Sequence, residues 1–438
     1  MRFEMVGRTP WLLIPVGVFF AGQADAQEVS VDNEVELRAA LETADEDVQL
    51  TQLEWNVRVD SELSPSIAAR ISGRLRVDGS DRLDPGKPDQ SNRSSLNRRH
   101  LLGEAGEIEL REAFIDLNFE PVSIRLGKQQ IVWGQADGLK VLDIVNPQSF
   151  REFILEDFDA SRIPLWSAKA EVQLGPVDVQ VFWIPDHSFH DIPEQGAAFE
   201  LTSSRFLPPV GPDDAPIVLD DARPSGLKDD FGGQLSLLAG GWDLTFNLLR
   251  HHADRPVFSV TAEGGNTIAS RVYDRQMTLG GSFAKALGEF VIRGEIGYAW
   301  GRAINVTQAA NDVDRIVEAD ALSYVVAVDW RSSDTFISAQ FFQDRLIDAG
   351  PGLLRPRNDE YATFYLRQTL LRDTLEVDFK SLVNFDDGDV LLRPRLLYDI
   401  TPSIQLSLAA DLFFGKPDGV FGQFEEQSRV SLAMIARF

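Results

Sequence analysis

At 438 residues the chain is long enough for two or three domains, yet no linker-like stretch divides it, so one large domain is the simpler reading. It has no cysteine, which excludes disulfide stapling and thiol chemistry and suits an oxidising compartment. A net charge of -26 with a pI near 4.6 excludes nucleic acid as a partner, because phosphates would be repelled.

Taken in chain order, Arg2 and Arg8 precede a short apolar run, Trp11 to Gly22, that ends in Ala24-Asp25-Ala26. That is the pattern of a signal peptide over residues 1–26; the run falls short of the roughly 20 residues a spanning helix needs. Residues 27–47 read as an N-terminal periplasmic or lumenal segment, partly helical over Val35 to Leu41 with Asp32 or Asn33 as its cap.

From about Val48 to Phe438 the dominant signal is period-2 alternation, as in Leu53, Trp55, Val57 and Val59 against Glu54, Asn56, Arg58 and Asp60. Similar runs of about nine to eleven residues recur to the last residue, the length that a tilted strand needs to cross a hydrocarbon layer. A soluble sandwich would also alternate. Three further features favour a membrane. Tight turns such as Glu120-Pro121, Gly175-Pro176 and Gly240-Gly241 alternate with long acidic links, Trp166, Trp183, Trp242, Trp300, Trp330 and Tyr398 sit near strand ends, and the last strand closes on Phe438. The fold class expected for residues 48–438 is therefore a transmembrane antiparallel β-barrel of 16–18 strands, with short periplasmic turns and long extracellular loops, in the outer membrane of a Gram-negative bacterium. About 17 strands can be counted; single-chain bacterial barrels carry an even number, so a partner strand is owed somewhere in residues 27–50.

Barrels of this width leave an aqueous lumen. Arg70, Arg74, Arg76, Arg125, Gln129, Arg293, Glu295, Asp329, Arg331, Arg393 and Arg395 alternate inward and are the expected pore lining. Opposed charges of this kind either set up a transverse field across a constriction or pair with one another and brace the wall.

The stretch Arg125-Leu126-Gly127-Lys128-Gln129, then Trp133-Gly134, Asp143 and Asn146-Pro147, stands apart from plain strand pattern. Here the chain resembles a family of uncharacterised proteobacterial outer-membrane barrels that carry an Arg-x-Gly-Arg/Lys-Gln strand, a Trp-Gly pair and a later Asp-x-x-Asn-Pro. Lys128 stands where Arg is common, alginate-export barrels share only the Gly-Arg-Gln part, and the resemblance extends to about Pro185. It implies an outer-membrane barrel, often encoded near an inner-membrane exporter of the resistance-nodulation-division type and a lipoprotein-like partner, and it supplies no substrate. Just beyond, Phe150, Phe153, Ile154, Leu155 and Phe158 stand among acidic residues; such an apolar cluster does not face water, and it is expected either to fold into the mouth as a short helix or turn and narrow the pore, or to pack on a neighbouring loop without touching solute.

No catalytic set, cofactor or metal site is expected. His187 and His190, between Asp186 and Asp191 with Glu194 beyond, are ligating types at a spacing that defines no site, and His251-His252 lies at a strand end. Asp213-Asp214 and Asp220-Asp221 suit divalent cations bridging lipopolysaccharide, or stay solvated. The functional expectation is a channel or exit barrel for a solute or lipid-like cargo. A general diffusion porin, and in another class a barrel enzyme or a surface protein with a plugged lumen, stay open. Expected partners are outer-membrane lipid and lipopolysaccharide, the barrel-assembly machinery through the strand ending in Phe438, the exporter and the lipoprotein.

Overall fold

The computed structural model describes residues 28–206, 217–220, 229–263 and 266–438. The expected signal peptide lies outside the described residues, as do the side chains of Asp213, Asp214, Asp220 and Asp221.

Eighteen strands close an antiparallel barrel. In chain order they are β1 (Val29–Glu42), β2 (Val48–Ser64), β3 (Ile67–Asp78), β4 (Gly106–Phe119), β5 (Val122–Gln129) and β6 (Leu165–Leu174). Next come β7 (Val177–Ile184), β8 (Asp230–Ala239), β9 (Trp242–His252), β10 (Arg275–Leu287), β11 (Phe290–Asn305) and β12 (Ile316–Arg331). The circuit ends with β13 (Thr335–Ile347), β14 (Asn358–Leu370), β15 (Leu375–Asn384), β16 (Asp389–Thr401), β17 (Ile404–Phe414) and β18 (Arg429–Arg437). Each strand pairs with its chain neighbour, and β1 closes on β18 with Leu37 opposite Met434. Asn33 and Phe438 exchange backbone hydrogen bonds at the seam, so the terminal residue completes the last ladder.

The segment expected to be partly helical is thus a strand. Val31, Val35, Leu37, Ala39 and Leu41 alternate with Glu34, Glu36, Arg38, Ala40 and Glu42, and both edges of β1 are paired, to β2 and to β18. Two ladders of hydrogen bonds override the helix propensity of Glu, Leu, Ala and Arg. This supplies the even strand number.

Every second residue of the wall turns outward and is apolar: Ile71, Ile115, Leu126, Val181, Phe246, Ile296, Val326 and Leu432 are all exposed. A band of large apolar side chains around a closed sheet belongs in lipid, since no edge or unpaired backbone faces it. Trp166, Trp183 and Trp300 lie toward the loop ends of their strands, and Trp242, Trp330 and Tyr398 toward the turn ends, which gives two interfacial girdles. Among the described residues no helix is long and apolar enough to cross a membrane.

The extracellular loops do not all stay outside. Phe153, Phe199, Phe421 and Phe424 gather on Phe413 and Leu50 into one apolar core at the outer end of the barrel. Ile131, Trp133, Val141, Leu142 and Val145 gather on Phe182, Leu249, Val325 and Phe342 into a second core, inside it.

Candidate functional site: a lumen narrowed by an inner loop

Residues 130–164, the link between β5 and β6, enter the barrel, and the residues of the 125–147 stretch make them do so. Gly127 has φ +134, and a Cβ there would meet the Ala113 carbonyl at 2.2 Å. Only glycine fits this backbone against β4. The turn breaks the in–out alternation: Leu126 faces lipid, yet Lys128 and Gln129 are both buried, Lys128 donating to the Leu110 carbonyl and Gln129 to the Ser167 carbonyl. The close approach at Gly127 is that of the neighbouring strand, at Ala113 and Phe114.

Trp133 turns into the inner apolar core. Its indole is buried, donates from Nε1 to Gln180 at 3.0 Å and packs on Phe182. Gly134 follows at φ +81, and a Cβ there would lie 2.9 Å from the Glu295 carboxylate oxygens. Glu295, on the inner face of β11, accepts the backbone N–H groups of Gln135, Ala136 and Leu142. One carboxylate thus satisfies three loop amides that would otherwise be buried without partners. Asp137 reaches Arg293, which is also paired to Asp329 at 2.8 Å. The Leu142 side chain seats over Gly280 and Gly297, where a Cβ at Gly280 would lie 2.3 Å from it. Asp143 is bound by Arg162 and Lys140, each at 2.8 Å. Asn146 clamps the neck of the loop, accepting from Ile131 N–H and donating to the Ile163 carbonyl, while the Pro147 carbonyl accepts from Ile163 N–H.

The returning half holds to the opposite wall. Glu152, wholly buried, binds Arg38 of β1 at 2.5 Å and Arg429 of β18 at 2.6 Å. Burial alone would raise its pKa, but Arg38, Arg429 and Arg151 hold it well below the ordinary carboxylate range. Arg151 pairs with Asp78 and Asp84, Glu156 with Arg76, and the Leu155 carbonyl accepts from Arg393.

Of the five apolar residues expected to narrow the pore, Leu155 is buried in the outer core. Phe153 is locked into the outer aromatic core, 4.7 Å from Phe424 between ring centroids. Phe150 stands edge-on to His190, while Ile154 and Phe158 border open space; Phe158 opens a single helical turn, Phe158–Ser161. That space is two cavities. The outer one, about 400 Å³, is lined by Phe150, Ile154, Phe158, Arg205, Arg255, Arg302, Asp344, Arg355 and Tyr361 among others. The inner one, about 220 Å³, lies between the loop and β13–β16 and is lined by Gln340, Thr363, Tyr365, Lys380 and Arg393. Gly138, Ile154, Glu156 and Phe158 border both. A third space, about 710 Å³, opens at the turns of β4–β8, lined by Glu171, Asp178, Gln180 and Gln234.

Most of the wall residues expected to line the lumen are engaged in pairs. Arg74 pairs with Glu109, Arg76 with Glu54 and Glu156, Arg70 with Asp60, Arg125 with Asp116 and Arg395 with Asp378. Arg393 pairs with Asp411 and borders the inner cavity. Arg331 is exposed at the turn end, over the Phe336 ring. The histidine loop is a hydrogen-bonded block: Asp191 takes Arg93, His190 Nδ1 accepts from Gln148 N–H, and Asp186 accepts from Asn97. Among the described residues the groups spaced for a metal are instead Asp229, Asp230 and His252, and Glu42, Asp45 and Asp47.

Arg205, Arg255, Arg302 and Arg355, which with Lys140 make the basic lining of the outer cavity, come from four separate loops and strands and follow no spacing that the sequence could have shown.

A family model described as "Protein of unknown function (DUF1302)" matches residues 77–363. The chain belongs to that family. The matched span of this DUF1302 chain includes the whole inner loop and both lining sets of the outer cavity except Val420. No curated protein matches the sequence. In structure the chain is similar to OccAB2 of Acinetobacter baumannii, with a TM-score of 0.54 at 10% identity, over 94% of this chain and 98% of that one. It is also similar to OccK1 (OpdK) of Pseudomonas aeruginosa, with a TM-score of 0.51 at 9% identity over 94% and 98%. At such identities the likeness is one of fold: an outer-membrane β-barrel.

Proposed function

We propose that this protein is an outer-membrane channel whose solute path runs beside the inner loop, past Ile154 and Phe158. The observation that carries this reading is the pair of cavities that both border Ile154 and Phe158, between the loop cores and the barrel wall. A filled structural barrel has no use for a wet, charged chamber at its middle, whereas a selective conduit needs one. The apolar face that Phe150, Ile154 and Phe158 give to the narrow zone favours a solute with an apolar part over general diffusion.

The proposal includes the partners expected from sequence: lipid and lipopolysaccharide around the wall, assembly through the strand ending in Phe438, and an inner-membrane exporter with a periplasmic lipoprotein supplying cargo. Reconstitution in planar bilayers tests the channel itself. Small stepwise currents are expected, growing when residues 135–142 are replaced by a short Gly/Ser link. No current from either protein would refute the channel and favour a plugged barrel, and lipid hydrolysis by the purified protein would favour an enzyme.

A further inference from the structure

The outer cavity departs from the charge of the rest of the protein. In a chain of net charge -26, five basic side chains, Lys140, Arg205, Arg255, Arg302 and Arg355, face three carboxylates there, Glu156, Asp344 and Asp359. Those carboxylates are already engaged: Asp344 by Arg302 and Arg355 at 2.8 and 2.7 Å, Asp359 by Arg205 at 2.6 Å, and Glu156 by Arg76 at 2.9 Å. Arg255 is left over. Among the described residues it has no ion pair; its guanidinium lies over the Phe206 ring, 4.4 Å from the centroid, and its side chain is solvent-accessible although the barrel encloses it. Enclosure and the charges of Arg355 and Arg205 push it down to about 10, so it stays charged at neutral pH. The Nε of Arg355 is also buried without an acceptor.

Cations brought together beyond the number of available carboxylates repel one another, and an anion of the right size relieves them. The same chamber also has an apolar lining, Phe150, Ile154, Phe158 and Phe342. We infer that the outer cavity is a binding site for small organic carboxylates with an apolar body, the head group held by Arg255 and the body lying on the Phe150–Phe158 face. A volume of about 400 Å³ suits a molecule of benzoate size and excludes a full phospholipid. The inference rests on the channel reading for its purpose, though not for its test.

Calorimetric titration of the full mature chain in detergent with benzoate, acetate and inorganic phosphate reads the site without any current. Benzoate should bind, and acetate and phosphate at least tenfold more weakly. Arg255→Met, which keeps the contact with Phe206, should weaken benzoate about tenfold, and Arg255→Lys should restore most of the loss; heat-modifiable migration in gels shows that each variant is folded. Benzoate binding that is unchanged in Arg255→Met, or acetate binding as tight as benzoate, would overturn the site. In bilayers, benzoate should reduce the wild-type current and not that of Arg255→Met. A silent barrel that still binds benzoate through Arg255 would sink the channel reading alone, and a conducting barrel indifferent to benzoate would sink the site alone.

Discussion

Glu295 is where the inner loop is most exposed to a single change. Its carboxylate accepts three backbone N–H groups, from Gln135, Ala136 and Leu142, the last two at 2.7 and 3.1 Å. Hydrogen bonds to a charged acceptor contribute roughly 1.5–3 kcal/mol each. Glu295→Ala removes all three, but it also relieves the cost of burying the carboxylate, and the freed amides face a wet lumen in which water replaces part of the loss. The net penalty on the docked loop should be about 2–4 kcal/mol, which at 1.4 kcal/mol per tenfold is roughly a 30- to 1,000-fold rise in its opening. Hydrogen exchange followed by mass spectrometry on peptides within residues 130–147 measures this directly, and loss of protection there should leave β9–β12 as protected as before. Glu295→Gln keeps one carbonyl oxygen for two of the donors, so its effect should be clearly smaller. A folded Glu295→Ala barrel whose loop exchanges at the wild-type rate would show that the loop is held by its apolar seat on Gly280 and Gly297 and not by the carboxylate.

Three further outcomes are expected. Gly127→Ala should lower stability by at least about 1–3 kcal/mol, from the φ of +134 and the 2.2 Å approach to Ala113, and should shift the urea midpoint; a midpoint like the wild type would mean that β4 and β5 can part at little cost. Phe153→Ala removes a ring packed on Phe413, Phe421 and Phe424 and should cost about 3–5 kcal/mol, read as a lower thermal midpoint. For pH, Glu152 has a folded pKa below that of an unfolded glutamate, so its contribution is complete above about pH 4.5 and is lost as pH falls through the lower folded value. Protection of residues 150–156 should therefore be the same at pH 7 and pH 5 and decline only in stronger acid, and Glu152→Gln should flatten that decline; loss of protection between pH 7 and pH 5 would contradict the assignment.

The barrel was legible because alternation is local: Leu53 to Val59, or Val390 to Tyr398, states its two faces without reference to any other strand. β1 was harder. Val35 to Leu41 is built from good helix formers, and only pairing on both edges, together with the parity of the barrel, makes it a strand. The inward charges were legible as a set, but their partners were not, because a cross-strand pair such as Arg293 and Asp329 depends on a register that the sequence does not print. Glu295 illustrates the limit most clearly. It reads as one more wall charge, and what occupies it is the backbone of a loop more than 150 residues earlier in the chain.

The stretch around Gly127, Trp133, Gly134, Asn146 and Pro147 consequently has a different meaning from the one its position suggests. None of these five residues lines the outer or the inner cavity. They bend the chain inward at β5, cap it on Glu295 and close its neck at Ile163. The side chains that face open space come from elsewhere: Arg205 from the loop after β7, Arg255 from the loop after β9, and Tyr361 and Lys380 from the far wall. Construction of the constriction and contact with the solute are therefore separated in the chain. Substitutions in the 127–147 stretch should alter loop docking for every solute alike, whereas substitutions at Arg255 or Tyr361 should change which solute is preferred while the loop stays docked. Measuring benzoate affinity and loop exchange on the same variants distinguishes the two classes, and a variant at Gly134 that changed solute preference without disturbing exchange would break the separation.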